Sequence, residues 1–260
     1  MTSAPVFFIS HGAPSFALEP GRLGAQLKLL GGKLSGITAV LVVSPHWQTS
    51  DVRVMSAAAP ATLHDFGGFD PALYELQYPA PGHPQMAAET ARLLALAGFP
   101  VTVDAQRKFD HGAWVPLLHL LPQANLPVFQ VSMPLALDAH EALRLGRALA
   151  PLRQQGVLIL GSGSITHNLY ELQSPGSAAA AYVDEFSAWV RDVVLRNDLE
   201  SLAGYRHLAP HAERAHPSEE HFLPLLVAVG AHTDDEAGQV LGGDVTYGVI
   251  GTESYAWGLQ

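Results

Sequence analysis

The sequence predicts an α/β fold in which helices flank a central, mostly parallel sheet. Short β-branched runs alternate with longer helical stretches along the 260 residues. The runs VLVV at 40–43 and VLIL at 157–160 are wholly apolar, as expected of strands buried on both faces. No repeat, low-complexity tract or shift in composition marks a boundary. We therefore expect residues 1–260 to form a single catalytic domain, with the active site at the carboxyl ends of the strands.

Periodicity assigns the elements in order. Runs rich in β-branched and aliphatic residues predict strands at 6–9, 39–43, 52–55, 101–103, 128–131, 157–160 and 245–250. Helical periodicity predicts helices at 20–31, 84–97, 112–120, 138–154, 178–196 and 219–229. In the last helix Ser218 is a candidate N-cap, which would place His221 in the first turn, close to Pro224. Residues 56–82 are rich in Gly, Pro and aromatics, which predicts a long ordered loop with one short helix.

The composition excludes several classes of protein. With a formal charge of −10 and only 14 Lys plus Arg, the chain offers no basic face for nucleic acid. Its first residues, MTSAPVFFISHG, lack a cationic segment and the ~18 apolar residues of a membrane span. We therefore expect a soluble, cytoplasmic protein. Because cysteine is absent, any metal must be held by nitrogen and oxygen ligands, for which the 13 histidines are candidates.

Three histidines follow predicted strands. His11 comes directly after FFIS, His46 follows LVVSP, and His167 lies seven residues beyond LIL. Because the carboxyl ends of parallel strands meet at one edge, we expect these side chains to converge on a metal. His221 is a fourth candidate. Any one histidine alone is more often structural, and the spacing matches no short zinc signature such as HExxH, so the prediction rests on the convergence.

Three other motifs carry weaker signals. The run GSGS at 161–164 lacks the lysine of a phosphate-binding loop, and we interpret its glycines as a sharp turn after the strand. Asp110 beside His111 is either a catalytic carboxylate or an ordinary helix cap. The run HDFGGF at 64–69 is either part of a site or a glycine-rich turn anchored by phenylalanines.

Seven short motifs occur in order along nearly the whole chain. They are HGAP at 11–14, SPHW at 44–47, HDFGGF at 64–69, YPAPG at 78–82, FDHGAW at 109–114, SGSITHNL at 162–169 and EEHFLPLL at 219–226. In combination they resemble the class III extradiol ring-cleaving dioxygenases, LigB-like, in the branch of the 4,5-DOPA dioxygenases. Each motif is short, but the ordered set is specific.

The resemblance implies a role for each of five histidines. His11, His46 and His221 match metal ligands, and His167 matches a histidine that is either a further ligand or the acid/base. His111 matches a second active-site histidine near the substrate or oxygen. In the protocatechuate-cleaving branch a glutamate completes the metal site, whereas here the matching residue is His221. An all-imidazole site suits zinc as readily as iron.

The activity implied is insertion of O₂ into a small catechol to give a muconic semialdehyde. Non-haem Fe(II) is the expected cofactor, with Zn(II) as an alternative occupant of the isolated protein. We expect His167 to accept a proton from the catechol and His111 to assist the bound oxygen. The residues expected to bind the substrate lie on the 56–82 loop: His64, Phe66, Phe69 and Tyr74.

Two alternatives use the same residues. A zinc-dependent hydrolase of an amide or ester would polarise water with the same histidines. A non-catalytic protein can also share the fold, although it would have no need of a complete histidine set. No arginine cluster is evident to bind a substrate carboxylate, and Arg107 and Lys108 beside His111 are the candidates. The motifs do not specify an oligomeric state.

Overall fold

One large sheet organises the computed structural model, which describes residues 3–259. The ten strands of this part of the chain are β1 (Val6–Ser10), β2 (Ala39–Thr49), β3 (Val52–Met55), β4 (Val101–Asp104), β5 (Val128–Pro134), β6 (Val157–Gly163), β7 (Gln239–Leu241), β8 (Val245–Thr246), β9 (Ile250–Gly251) and β10 (Ser254–Trp257). Eight of them form the sheet in the order β4-β3-β5-β2-β6-β1-β10-β7, and β8 pairs with β9 separately. The central strands β5, β2, β6 and β1 are parallel, while β10 joins β1 antiparallel. The predicted α/β class is confirmed.

Helices cover both faces of this sheet. Within residues 3–259 they are α1 (Gly21–Gly31), α2 (Ala72–Glu75), α3 (Pro84–Leu96), α4 (His111–Leu120), α5 (Ala139–Leu149), α6 (Ala181–Leu195), α7 (Leu199–Ala203), α8 (Tyr205–Leu208), α9 (Ala212–Ala215) and α10 (Leu223–Ala231). Every residue of α10 is buried, because this helix packs between β6 and α5. No helix in the described residues is both long and apolar enough to cross a membrane.

Burial explains the apolar strands. All residues of β1 and β6 are buried, as expected for strands covered on both faces.

The 56–82 loop contains the single short helix α2, as predicted. The predicted helix at 138–154 divides into α5 and a 3₁₀ segment, Ala150–Gln155.

Two predicted elements near the carboxyl end are wrong. The helix predicted at 219–229 begins only at Leu223, and Ser218 donates its hydroxyl to Glu220 instead of capping the helix. Pro224 lies in the first turn, where its missing N–H costs no hydrogen bond. The strand predicted at 245–250 is a hairpin of β8 and β9, because Tyr247 and Gly248 both adopt positive φ. Strands β7 and β10 were not predicted.

The interpretation of the GSGS glycines as a sharp turn is also wrong. Gly161 and Gly163 lie within β6, and neither has a positive φ. A Cβ at Gly161 would overlap the carbonyl oxygen of Pro224, and one at Gly163 would overlap that of His221. The glycines therefore allow the start of α10 to approach the sheet closely. This contact sets the position of His221.

Candidate active site

Local features of two central strands position His11 and His46. His11 directly follows β1, and its backbone N–H donates to the carbonyl of Gly163 at 2.9 Å, which continues the ladder with β6. His46 lies inside β2, within the stretch between Val43 and Gln48 where the register with β5 shifts. Because such an irregularity re-aims side chains, it allows His46 to face His11. Their Nε2 atoms are 3.1 Å apart.

Three further histidines reach the same edge from helix starts and a loop. His111 is the first residue of α4, His167 lies in the loop after β6, and His221 lies two residues before the start of α10. All three line one cavity together with His11 and His46. The convergence predicted from the strand ends is therefore present, with His111 added.

Three of these imidazoles form a candidate metal centre. His11, His46 and His221 each offer one ring nitrogen, and these atoms lie within 4.8 Å of one another. The Nε2 of His221 is buried and has no hydrogen-bond partner within the described chain. A buried nitrogen left without a partner costs about 1–3 kcal/mol, and a metal ion would satisfy it. Imidazole nitrogens suit first-row transition metals, so these residues fit a metal.

Neighbouring groups determine which nitrogen of each ligand is free. The hydroxyl of Ser162 donates to the carbonyl of Gly112, so it must accept from His11 Nδ1, at 2.9 Å. The carboxylate of Glu220 accepts from His221 Nδ1 at 3.0 Å. Both rings therefore carry their proton on Nδ1 and direct the Nε2 lone pair toward the cluster. Such outer partners commonly orient metal-bound histidines.

The cluster is uncharged at neutral pH. Burial, and then repulsion by the neighbouring imidazoles, lowers the pKa of His11 and of His221 well below the ordinary histidine value. Burial and the proximity of His111 lower the pKa of His46 to about 4. Metal binding requires unprotonated nitrogens, so at pH 7 these ligands need lose no proton.

His167 lies beside the cluster in a different orientation. Its ring stacks on that of His221, with centroids 3.5 Å apart and planes inclined by 9°. Its backbone N–H donates to Ala215 at 2.8 Å, which anchors the loop. Burial lowers the pKa of His167 to about 4, although Glu220 opposes the shift. His167 is therefore neutral at pH 7.

Asp65 fixes His111. Its Oδ1 accepts from the backbone N–H of His111 at 2.9 Å and from Nδ1 at 3.0 Å. Burial raises the pKa of Asp65, but these hydrogen bonds outweigh burial and leave the pKa below its usual value. Since Nδ1 is occupied, Nε2 is the free nitrogen of His111. Asp65 was not identified from the sequence.

Asp110, the alternative carboxylate, is a structural residue. Its side chain caps α4 by accepting from the backbone of Ala113 at 3.2 Å. It also accepts from Ser44, Arg107 and Gln130 at 2.6–2.7 Å, and it is fully buried. Its carboxylate is engaged by all of these donors, and Asp110 is not among the described residues that line the cavity. The interpretation as a helix cap is confirmed.

An apolar cavity of about 590 Å³ opens above the histidines. Of the predicted substrate-binding residues, Phe66 and Phe69 line it, whereas His64 and Tyr74 do not. His64 and Tyr74 pack against Phe66, with ring centroids 5.8 and 5.2 Å away, and so support the wall from behind. The lining residues that the sequence did not predict are Gly12, Ala13, Pro14, Gly67, Gly68, Leu169, Leu172, Tyr247 and Ile250.

Three of these unpredicted residues differ in how far the sequence could have identified them. Leu169 belongs to the SGSITHNL motif and could have been found from its distance of two positions from His167. Tyr247 and Ile250 arrive through the β8–β9 hairpin, which the sequence suggested was one strand. No local signal indicated that this hairpin faces the cavity.

Known proteins resemble this chain in sequence and in fold. Residues 32–258 match the family model described as the catalytic LigB subunit of aromatic ring-opening dioxygenase. The chain is 37% identical over 254 residues to a 4,5-DOPA dioxygenase extradiol of Beta vulgaris, covering 93% of this chain and 94% of the relative. A protein of the same name from Escherichia coli K12 is 35% identical over 239 residues, covering 90% and 88%. A crystal structure of an uncharacterized protein from Escherichia coli K12 matches with a TM-score of 0.82 and 29% identity, covering 97% and 99%.

Proposed function

The chain belongs to the family of catalytic LigB subunits of aromatic ring-opening dioxygenases, and from this membership we propose its metal, its substrate type and the role of each site residue. It is a metal-dependent extradiol ring-cleaving dioxygenase that uses O₂ and a small aromatic substrate. The observation that carries the proposal is the cluster of His11, His46 and His221, with an unpartnered buried Nε2 at the foot of an apolar cavity.

The proposed cofactor is non-haem Fe(II) held by His11, His46 and His221. Fe(II) held by these residues would supply the redox and Lewis-acid chemistry that brings a catechol and O₂ to react. The three nitrogens are already neutral and oriented by Ser162 and Glu220. The same ligands suit Zn(II), so protein isolated without added iron is expected to contain zinc and to lack activity.

His167 is proposed as the acid/base and not as a ligand. An imidazole lone pair lies in the plane of its ring, and the rings of His167 and His221 lie in nearly parallel, stacked planes, so the two lone pairs are not directed at a common point. His167 lines the cavity and is unprotonated at pH 7, which allows it to accept a proton from a catechol hydroxyl.

His111 and the aromatic wall complete the proposed site. Because Asp65 holds its Nδ1 proton, His111 presents Nε2 to the substrate side, where it can hold or return a proton during ring cleavage. Phe66 and Phe69 contact each other edge to face, with centroids 5.6 Å apart, and offer faces for an aromatic ring. By filling the wall they also exclude water from the reacting ring.

The proposed substrate is a catechol, in keeping with the names of the 4,5-DOPA dioxygenases that the chain resembles, and the proposed product is a muconic semialdehyde. The test begins with protein stripped of metal and reloaded anaerobically with Fe(II) or Zn(II), with loading verified by elemental analysis. Oxygen uptake is then measured with L-DOPA, caffeate and unsubstituted catechol. We expect uptake and a yellow product with Fe(II) only. Fe(II)-loaded protein that consumes no oxygen with any of them would overturn the proposal. Hydrolysis of a simple ester or amide by the Zn(II)-loaded protein, without O₂, would indicate a hydrolase instead.

A further inference from the structure

We propose that this cavity selects catechols whose ring substituent is uncharged and apolar, and discriminates against those that carry a carboxylate. The inference rests on the proposed function, because it concerns the same cavity. The names of the relatives refer to DOPA, a catechol that carries an amino-acid side chain. The inference instead specifies a neutral, apolar substituent for the substrate of this chain.

Apart from the histidines and Tyr247, the lining of the cavity consists of apolar side chains and glycine. Beyond the histidines, its side walls are formed mainly by Phe66, Phe69, Leu169, Leu172 and Ile250. None of the described residues that line it is Lys, Arg, Asp or Glu. A carboxylate moved from water to such a surface loses hydration without gaining a cation, whereas an alkyl group gains from burial.

The arginines adjacent to the site segments are already engaged. Arg107 donates to Asp110 at 2.6 Å and to the carbonyl of His46 at 3.2 Å, and it does not line the cavity. Arg214 pairs with Glu171 at 2.8 Å and stacks over a tyrosine ring. Recruiting either guanidinium to a substrate would break an existing ion pair. Arg107, the candidate clamp from the sequence, therefore has a structural role.

The surroundings further disfavour an anion. A smaller cavity of about 270 Å³ shares Gly12, Ala13 and Tyr247 with the main one, and the charged residue in its lining is Glu19. The chain as a whole carries a formal charge of −10. A negative field of this kind lowers the local concentration of anionic substrates.

Binding to the Fe(II)-loaded protein under anaerobic conditions tests the inference. The ligands are 4-propylcatechol, dopamine, 3,4-dihydroxyphenylacetate and its methyl ester, measured by calorimetry. We expect the Kd values of 4-propylcatechol and of the methyl ester to be lower than that of 3,4-dihydroxyphenylacetate by a factor of about ten or more. A carboxylate that binds as tightly as its ester, or dopamine that binds more tightly than 4-propylcatechol, would overturn the inference.

Oxygen uptake with the same ligands separates this inference from the proposed function. A preference for neutral ligands without any oxygen uptake would support the inference and contradict the dioxygenase assignment of the site. Uptake that is fastest with the carboxylate would support the function and overturn the inference.

A substitution that places a cationic side chain in the cavity wall tests whether charge causes the selectivity. Leu172 lines the cavity and is 49% exposed, so a long polar side chain can be accommodated there. Leu172→Arg should improve the Kd of the carboxylate relative to its ester by about threefold to tenfold at low salt, and less at high salt. Leu172→Gln, which adds a polar chain without charge, is the matched control and should not change the ratio. An unchanged ratio in Leu172→Arg would contradict charge as the cause of the selectivity.

Discussion

The imidazole of His167 lies flat on the imidazole of His221, with their centroids 3.5 Å apart. The two rings therefore direct their lone pairs along parallel planes and not at a common point. His221 directs a buried, unpartnered Nε2 into the candidate metal centre, and His167 faces the cavity above it. This stack separates a residue that would hold the metal from one that would move a proton.

The first prediction separates these two roles by substitution. His167→Ala should retain iron but lower kcat by about 10²–10⁴, because general acid–base catalysis contributes that much. His221→Ala should lose iron, because one of three ligands is removed. Iron content by elemental analysis and oxygen uptake are measured on both. Loss of iron in His167→Ala at the level of His221→Ala would make His167 a ligand.

The second prediction concerns Asp65 as the residue that positions His111. Asp65→Asn weakens the hydrogen bond to Nδ1, so kcat should fall by about 10–100-fold, while iron is retained. The control is Asp70→Asn on the same loop, where the carboxylate accepts from the exposed backbone of Ala72. The measurements are steady-state kinetics and iron content. An Asp65→Asn enzyme with the kcat of the control would contradict the role.

The third prediction tests how β6 positions His221. In Gly163→Ala the new Cβ would overlap the carbonyl oxygen of His221, so backbone must move. We expect weaker iron binding and a loss of about 1–3 kcal/mol in the free energy of unfolding. Gly32→Ala is the control, because its Cβ would meet Leu29 at an ordinary 3.7 Å. The free energy of unfolding is measured by chemical denaturation, and iron affinity by titration. A Gly163→Ala variant that matched the parent in both quantities, as Gly32→Ala should, would contradict the prediction.

The fourth prediction is a pH dependence of stability caused by His216. This side chain is fully buried, its Nε2 lies 2.9 Å from the carbonyl of Ile165, and burial lowers its pKa to about 3. Between this value and the unfolded pKa of about 6.5, only the unfolded chain binds the proton. The free energy of unfolding should therefore fall as pH falls below 6.5, by up to about 1.4 kcal/mol per pH unit from this residue.

The His216 contribution is isolated with metal-free protein. The free energy of unfolding of His216→Gln is measured by urea denaturation from about pH 5 to about pH 7. It should depend less steeply on pH than that of the parent. Substitution of the exposed His140 by Gln serves as the control. Equal slopes for the parent and His216→Gln would show that His216 does not stay neutral in the folded protein.

The sequence predicted what depends on local pattern. The wholly apolar runs at 40–43 and 157–160 belong to central buried strands, because a strand covered on both faces leaves no polar positions. His11 and His46 were placed correctly at one edge because parallel strands end there. These inferences needed only periodicity and the rule for parallel sheets.

Contacts between distant segments were not predictable. The role of Gly163 depends on a carbonyl of the segment before α10, which no local signal connects to β6. Asp65 was read only as part of a loop, because its partner His111 is 46 positions away. His221 was assigned to a helix that begins later, since Ser218 resembles an N-cap but bonds to Glu220. Tertiary packing decided the first two cases, and a side-chain hydrogen bond between near neighbours accompanies the third.

The most direct test of the central claim is the fate of isotopically labelled O₂. Protein loaded with Fe(II) would be given unsubstituted catechol in the presence of the labelled O₂, and the mass of the product would be measured by mass spectrometry. We expect a ring-opened semialdehyde that contains labelled oxygen, and no such product from His11→Ala, His46→Ala or His221→Ala. A product whose new oxygen came only from water, or undiminished turnover in those variants, would contradict it.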